Sequence, residues 1–248
     1  SETPVYDIET PEGLQTLKRI LKRIEPADAF ATIRPGRDGR ATARVLRRSS
    51  RRVIAAAVRH SGLPLILAWQ RRKIKQRPIV LIADISGSVA SFARFTLHLV
   101  YAISNQFSKV RAFVFIDGLD EVTRFFEGVD DISDAVHRVN TEADVVWVDG
   151  HSDYGHAFEV FWQRHGHEVS TKTTVLILGD ARNNYHASQA WVVKEIQKKA
   201  RHVFWLNPEP RSYWDTGDSI VGEYANHCDG TFECRNLRQL EKFVDLLA

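Results

Sequence analysis

The strongest constraint on the fold is an unbroken apolar run, Ile79 to Ala83, that ends at Asp84. Such a run between polar segments is typical of a central strand in a parallel sheet, which is buried on both faces. Ser86 and Ser88 follow Asp84 at alternate positions, where the strand ends and a loop begins. Because ligands of open α/β sheets bind at this end of the strands, the segment predicts a binding site.

The chemistry of this D-x-S-x-S segment can be interpreted in two ways. One carboxylate and two hydroxyls are hard oxygen donors that suit Mg²⁺ and leave positions for water or a partner's carboxylate. Alternatively, Asp84 and the serines cap the helix that follows, as these residue types often do. The segment taken alone favours neither interpretation.

Apolar periodicity along the rest of the chain predicts alternating strands and helices. That alternation is typical of an α/β fold with a doubly wound, mostly parallel sheet and helices on both faces. The predicted strands are 63–69, 79–83, 110–116, 173–178, 202–206 and 231–234, with 121–126 as a short antiparallel neighbour. The predicted helices are 14–24, 53–58, 90–107, 132–139, 155–164, 187–200 and 237–247.

Charge divides the chain into two parts. The balance of basic and acidic side chains is +11 over residues 1–77 and −8 over residues 78–248, which gives +3 for the whole chain. We therefore predict a basic, partly helical N-terminal extension over residues 1–77 and one α/β domain over residues 78–248.

Basic clusters at 44–52 and 71–77 raise the question of a nucleic-acid partner. They lack the interleaved aromatic residues of single-strand binding platforms. We expect them to lie in solvent or against an acidic protein surface, and keep nucleic-acid binding as an alternative.

Cysteine content and hydropathy bear on the compartment. Cys228 and Cys234 are too few for a disulfide framework, and their spacing matches no zinc pattern. No apolar stretch approaches the roughly 18 residues of a transmembrane helix. The first residues lack the basic-then-apolar pattern of a signal peptide. We expect a cytoplasmic protein with reduced thiols and no membrane insertion.

Two later segments carry further oxygen donors. Ser152 lies in a polar loop, 149–155, that opens a predicted helix, and Asp180 follows the predicted strand 173–178 after one glycine. Carboxyl ends of parallel strands meet at one edge of a sheet. The residues expected to converge there are Asp84, Ser86, Ser88, Ser152 and Asp180.

This order of motifs resembles the von Willebrand factor A (VWA) domain with a metal-ion-dependent adhesion site. Its pattern is D-x-S-x-S, then a threonine loop, then an aspartate at a strand end. Within that superfamily the chain is most similar to the bacterial CoxE-like proteins, over approximately residues 43–248. Three segments carry this similarity. The first is the basic stretch before the predicted strand 79–83, which contains Leu67-Ala68-Trp69. The others are Trp205-Leu206-Asn207-Pro208 and Glu233-Cys234-Arg235-Asn236-Leu237.

The resemblance implies a Mg²⁺ site, with Mn²⁺ as a second candidate. Residues 84–88 match the first motif and Asp180 matches the last. Ser152 stands where the family usually has threonine, whose β-branched side chain has fewer rotamers. Asp153, beside it, is a candidate acceptor for a metal-bound water.

The resemblance also implies a binding role without enzymatic activity. In such domains an Asp or Glu of a protein partner fills the open position on the metal. CoxE-like proteins are implied to be adapters of MoxR-type AAA+ ATPases that mature or remodel metalloenzymes. The expected partners are therefore such an ATPase and a metalloenzyme client.

A metal-dependent phosphatase-like hydrolase is the enzymatic alternative. Haloacid-dehalogenase phosphatases also begin with an Asp at the end of a first buried strand. They need a second Asp two residues later, where this chain has Ser86. No lysine clamp, Gly-rich phosphate loop or nucleophile–base pair is evident, which favours the binding role.

Overall fold

The computed structural model describes residues 10–21, 78–87, 90–106, 109–127, 132–146 and 151–247 of the chain. The strands are β1 (Ile79–Asp84), β2 (Val110–Phe115), β3 (Leu119–Glu121), β4 (Thr174–Leu178), β5 (His202–Asn207) and β6 (Gly230–Glu233). The α-helices are α1 (Pro11–Leu21), α2 (Ala90–Gln106), α3 (Thr123–Phe126), α4 (Ile132–Glu142), α5 (Tyr154–His165), α6 (Ala190–Lys199), α7 (Val221–Ala225) and α8 (Leu237–Leu247). Short 3₁₀ turns lie at Gly166–Glu168 and Arg211–Tyr213.

The strands form one sheet in the order β3-β2-β1-β4-β5-β6. All neighbours pair in parallel except β2 and β3, which are antiparallel. The chain builds one half of the sheet outward from β1 and then returns to β4 on the other side of β1. The crevice between the carboxyl ends of β1 and β4 is thus the point where the strand order reverses, which is where ligands of such sheets bind.

Two apolar layers cover the sheet, and alternate residues of β1 point into different layers. Leu81 and Ala83 pack in the layer that contains α1, α2, α4 and α8. Val80 and Ile82 pack in the layer that contains α5, α6 and α7. All six residues of β1 are buried, as expected of a central parallel strand.

Helix α1 belongs to the first of these layers. It begins at Pro11, where Thr10 Oγ1 accepts a hydrogen bond from Gly13 N at 3.0 Å, as an N-cap residue does. Its Leu17 and Ile20 are buried in the core, and the helix contacts α2 and α8.

The predicted fold class, a doubly wound and mostly parallel α/β sheet with helices on both faces, is confirmed. The predicted strand 63–69, the predicted helix 53–58 and the basic clusters 44–52 and 71–77 lie outside the described residues.

The predicted short antiparallel neighbour is present as β3, which pairs with β2, but its predicted bounds, 121–126, are wrong. The strand β3 ends at Glu121, and residues 123–126 form helix α3. Thr123 Oγ1 accepts a hydrogen bond from Ala112 N at 2.9 Å, where a further strand residue would have paired. The consecutive Phe125 and Phe126 are both buried in the same layer, which a helical turn permits and a strand does not.

Candidate metal centre

Asp84 and Asp180 lie side by side at the carboxyl ends of β1 and β4. The strands pair so that Ala83 of β1 is opposite Leu178 of β4. Asp84 follows the first of these residues, and Asp180 follows the second after Gly179. Both aspartates are almost completely buried, with 0% and 1% of their surface exposed. The fold therefore places two acids at the crevice where the strand order reverses.

The hydroxyl of Tyr154, the first residue of α5, lies between the two carboxyl groups. It is 2.7 Å from Asp84 Oδ2 and 3.2 Å from Asp180 Oδ1. The same oxygen accepts a hydrogen bond from Ala181 N at 3.0 Å. Because a phenol carries one hydrogen, it can donate to only one of the two carboxylates at a time.

Burial of two neighbouring acids disfavours their charged forms. The pKa of Asp84 is raised from 3.8 to about 7, first by burial and second by the nearby Asp180, although hydrogen bonds from Ser86 and Tyr154 lower it. The pKa of Tyr154 is also raised, by burial and by both aspartates. A divalent cation would supply the positive charge that favours ionised carboxylates here.

Ser86 is held directly against Asp84. Its backbone N donates to Asp84 Oδ1 at 2.7 Å, and its hydroxyl also hydrogen-bonds that carboxyl group. The side chain of Ser86 is buried. Ser88 lies outside the described residues, so its role as a metal ligand stays a prediction.

Ser152 is buried in the loop that enters α5, two residues before Tyr154. Its carbonyl oxygen accepts a hydrogen bond from Asn184 Nδ2 at 2.9 Å. This bond joins the Ser152 loop to the loop that follows Asp180. Ser152 therefore lies at the same edge of the sheet as the two aspartates.

Asp153 caps helix α5. Its Oδ1 accepts a hydrogen bond from His156 N at 2.8 Å, and its Oδ2 is 3.6 Å from His186 Nδ1. A carboxylate at this position also interacts favourably with the partial positive charge of the helix N-terminus. Its expected role as acceptor for a metal-bound water stays a prediction.

Sequence reasoning missed Tyr154, and it missed the glycine that makes room for it. A Cβ atom on Gly179 would overlap the Tyr154 hydroxyl and approach Asp84 Cβ to 3.0 Å. Only glycine fits beside this hydroxyl. The one available signal was the position of Tyr154 directly after the polar Ser152 loop.

The donors present fit a hard divalent cation. Among the residues that the structure describes, no group of three or more His, Cys, Asp or Glu side chains could hold a metal ion. A cation at this crevice would have two carboxylates, with hydroxyls and water completing its shell. Mg²⁺ and Mn²⁺ accept such oxygen ligands, whereas structural zinc sites usually contain Cys or His.

Comparison with known proteins gives a family and several structural likenesses. A family model described as "VWA domain containing CoxE-like protein" matches residues 21–243. No curated protein sequence matches the chain.

Three solved structures illustrate the likeness. A von Willebrand factor type A protein from Catenulispora acidiphila is 14% identical with a TM-score of 0.46, over 70% of this chain and 42% of that one. Manganese-loaded Plasmodium vivax TRAP protein is also 14% identical with a TM-score of 0.46, over 70% and 73% of the two chains. Proximal thread matrix protein 1 from the mussel byssus, with a zinc-occupied MIDAS motif, is 16% identical with a TM-score of 0.45, over 68% and 44%.

The present chain thus spans less than half of the Catenulispora acidiphila structure. No helix in the described part of the chain has the length and apolar character to cross a membrane. The family model matches most of the sequence, residues 21–243, and this match identifies the family of the chain. The chain belongs to the family of VWA domain containing CoxE-like proteins.

Proposed function

We propose that this protein is a metal-dependent protein-binding adapter. Mg²⁺, or alternatively Mn²⁺, is held by Asp84 and Asp180 together with hydroxyls of Ser86, Ser88 and Ser152. An Asp or Glu of a partner protein fills the remaining position on the ion. The observation that carries the proposal is the pair of buried carboxyl groups on either side of the Tyr154 hydroxyl.

The proposed partner is a MoxR-type AAA+ ATPase, and the proposed client of the pair is a metalloenzyme under maturation or remodelling. This part rests on membership of the CoxE-like family. We place the protein in the cytoplasm, a proposal that the two free thiols of Cys228 and Cys234 support.

Catalysis is not proposed for this site. Ser86 occupies the position where a phosphatase of the haloacid-dehalogenase type needs its second acid. Nor is nucleic acid a proposed partner, since the basic clusters at 44–52 and 71–77 lack interleaved aromatic residues.

The proposal is tested by a pull-down in which this protein is the bait and the MoxR-type ATPase of the same organism is the prey. We expect capture in Mg²⁺, loss of capture in EDTA, and loss with Asp180→Asn. Asp229→Asn is the matched control, because Asp229 lies at the opposite edge of the sheet, where its Oδ2 accepts a hydrogen bond from Val203 N at 2.7 Å. Capture that persists in EDTA and with Asp180→Asn, while circular dichroism is unchanged, would contradict a metal-dependent interface.

A further inference from the structure

The loop after Asp180 has an unusual backbone. Between Asp180 and helix α6, residues Ala181, Asn184, Tyr185 and Gln189 have positive φ angles of 59°, 46°, 62° and 47°. Left-handed backbone is uncommon in residues other than glycine, and in a bulky residue such as tyrosine it is an outlier. Such conformations persist only where surrounding contacts hold them, and they cluster at functional sites.

Contacts with the candidate metal centre hold this loop from one side. Asn183 is buried, and its Oδ1 accepts a hydrogen bond from Tyr154 N at 2.8 Å. Its Nδ2 donates to His186 O at 2.7 Å, across the loop tip that carries Tyr185. The neighbouring Asn184 donates to Ser152 O, as described above. The loop tip is thus fastened to the residues that enter α5.

Contacts from α5 and α7 hold the second half of the loop. A Cβ atom on Gly155 would overlap the carbonyl oxygen of Ala187, so the loop lies directly against the first turn of α5. Tyr224 Oη donates to Ser188 O at 2.8 Å. The loop is therefore fixed along its length, and its strained tip is part of the fold.

This fixed loop exposes aromatic rings. Tyr185 is 85% exposed, although Asn183 beside it is fully buried. Trp191, at the start of α6, is 48% exposed, and its Nε1 donates to Gln189 Oε1 at 2.7 Å. Rigid, exposed aromatic side chains lose little conformational entropy on binding and are frequent anchors of protein interfaces.

We propose that Tyr185 is the aromatic anchor of the surface on which the partner docks. The occupant is a protein segment that presents an acidic side chain to the cation and an apolar side chain to the Tyr185 ring. This inference rests on the proposed function. Mg²⁺ loses its bound water at a cost, so one carboxylate adds little net affinity. The hydrogen bonds from Asn184 to Ser152 O and from Tyr154 N to Asn183 place the Tyr185 loop next to the residues that enter α5. Apolar contact with Tyr185 would then supply the further affinity.

Selection from a random heptapeptide phage library on the immobilised full chain in Mg²⁺ tests the inference. We expect the enriched peptides to combine an Asp or Glu with an apolar residue. The best peptide is then synthesised, and its affinity is measured by fluorescence anisotropy. Tyr185→Ala should weaken binding by about tenfold or more, whereas Tyr185→Phe, which retains the ring, should bind like the wild type.

Two controls separate loss of contact from loss of fold. His167→Ala removes an exposed ring at the opposite edge of the sheet, between α5 and β4, and should leave peptide affinity unchanged. Tyr185→Gly removes the ring and relieves the positive φ. It should bind as weakly as Tyr185→Ala while its melting temperature stays equal to or above that of the wild type.

The outcomes distinguish this inference from the proposed function. Mg²⁺-dependent peptide binding that Tyr185→Ala leaves at wild-type strength would overturn the aromatic anchor and leave the metal-dependent adapter intact. A selection without any Mg²⁺-dependent peptide would contradict the adapter itself, and the anchor with it.

Discussion

The phenolic oxygen of Tyr154 lies 2.7 Å from Asp84 Oδ2, although 70 residues separate the two along the chain. The same hydroxyl is 3.2 Å from Asp180 Oδ1. The hydroxyl therefore lies against two buried carboxyl groups, and its one hydrogen can be donated to only one of them at a time. Under the proposed function, this arrangement would pre-position the two carboxyl groups for a cation.

Removal of this hydroxyl should destabilise the metal-free protein most. In EDTA, Tyr154→Phe should lower the free energy of unfolding by about 1–3 kcal/mol, because Ala181 N and the carboxyl groups lose a buried partner. Saturating Mg²⁺ should reduce the loss, since the cation then stabilises the carboxylates. Urea unfolding in both conditions measures the difference.

Tyr224→Phe is the matched control for that variant. It removes a tyrosine hydroxyl from the same aromatic cluster, where Tyr224 Oη donates to Ser188 O. Its cost should be the same with and without Mg²⁺. An equal loss in EDTA and Mg²⁺ for Tyr154→Phe as well would argue against a cation beside Tyr154.

The stability of the metal-free protein should fall as the pH rises. The pKa of Asp84 is about 7 in the fold, against an ordinary value of 3.8. The folded protein thus keeps a proton that the unfolded chain releases, so this contribution is complete below the ordinary value and is lost as the pH rises through 7. Because a pKa difference of one corresponds to about 1.4 kcal/mol, the loss should be on the order of 4 kcal/mol.

Asp84→Asn should remove this dependence. The amide of Asn can donate to the Tyr154 hydroxyl, which can then donate to Asp180, so the hydrogen bonds remain satisfied. In EDTA at about pH 8 the variant should therefore unfold at higher urea concentration than the wild type, with little difference at about pH 4. A difference between variant and wild type that does not change with pH would contradict the assigned pKa.

Gly179 should tolerate no side chain. Gly179→Ala places a Cβ against the Tyr154 hydroxyl and Asp84, and should cost about 1–3 kcal/mol through overpacking. Gly87→Ala is the control in the same region, because no atom of the described residues lies within 4 Å of its added Cβ. Thermal unfolding of both variants measures the effect, and equal melting temperatures would refute the close approach at Gly179.

Local signals explain which parts of this site could be predicted from the sequence. The strand β1 was predictable because a continuous apolar run bounded by polar residues is a local pattern. The position of Asp180 beside Asp84 followed from parallel alternation of strands and helices. The membership of the VWA CoxE-like family, predicted from the motifs, is confirmed.

Long-range contacts explain what the sequence left out. The role of Tyr154 depends on the first turn of α5 meeting β1 and β4, and no spacing along the chain encodes that contact. The left-handed backbone of Tyr185 and Gln189 carries no local signal either, since neither is a residue type that favours it. Helix α6 was predicted from residue 187 and begins at Ala190, because this loop occupies the preceding residues.

The thiols should be unreactive in the folded protein. Burial raises the pKa of Cys234 to about 12, and burial together with Asp229 raises the pKa of Cys228 to about 12. The reactive thiolate is therefore scarce at neutral pH. Ellman's reagent should react slowly with the native protein and rapidly with both thiols in urea, whereas fast reaction of the native protein would contradict these raised pKa values.

Direct measurement of cation binding tests the central claim that Asp84 and Asp180 form a metal site. Isothermal titration calorimetry with Mn²⁺ and with Mg²⁺ should detect a single saturable ion on the wild type and on the Asp229→Asn control. Asp84→Asn and Asp180→Asn should lose this binding, because each removes one of two carboxylate ligands. Wild-type binding by both of these variants, or no binding by the wild type, would contradict the account.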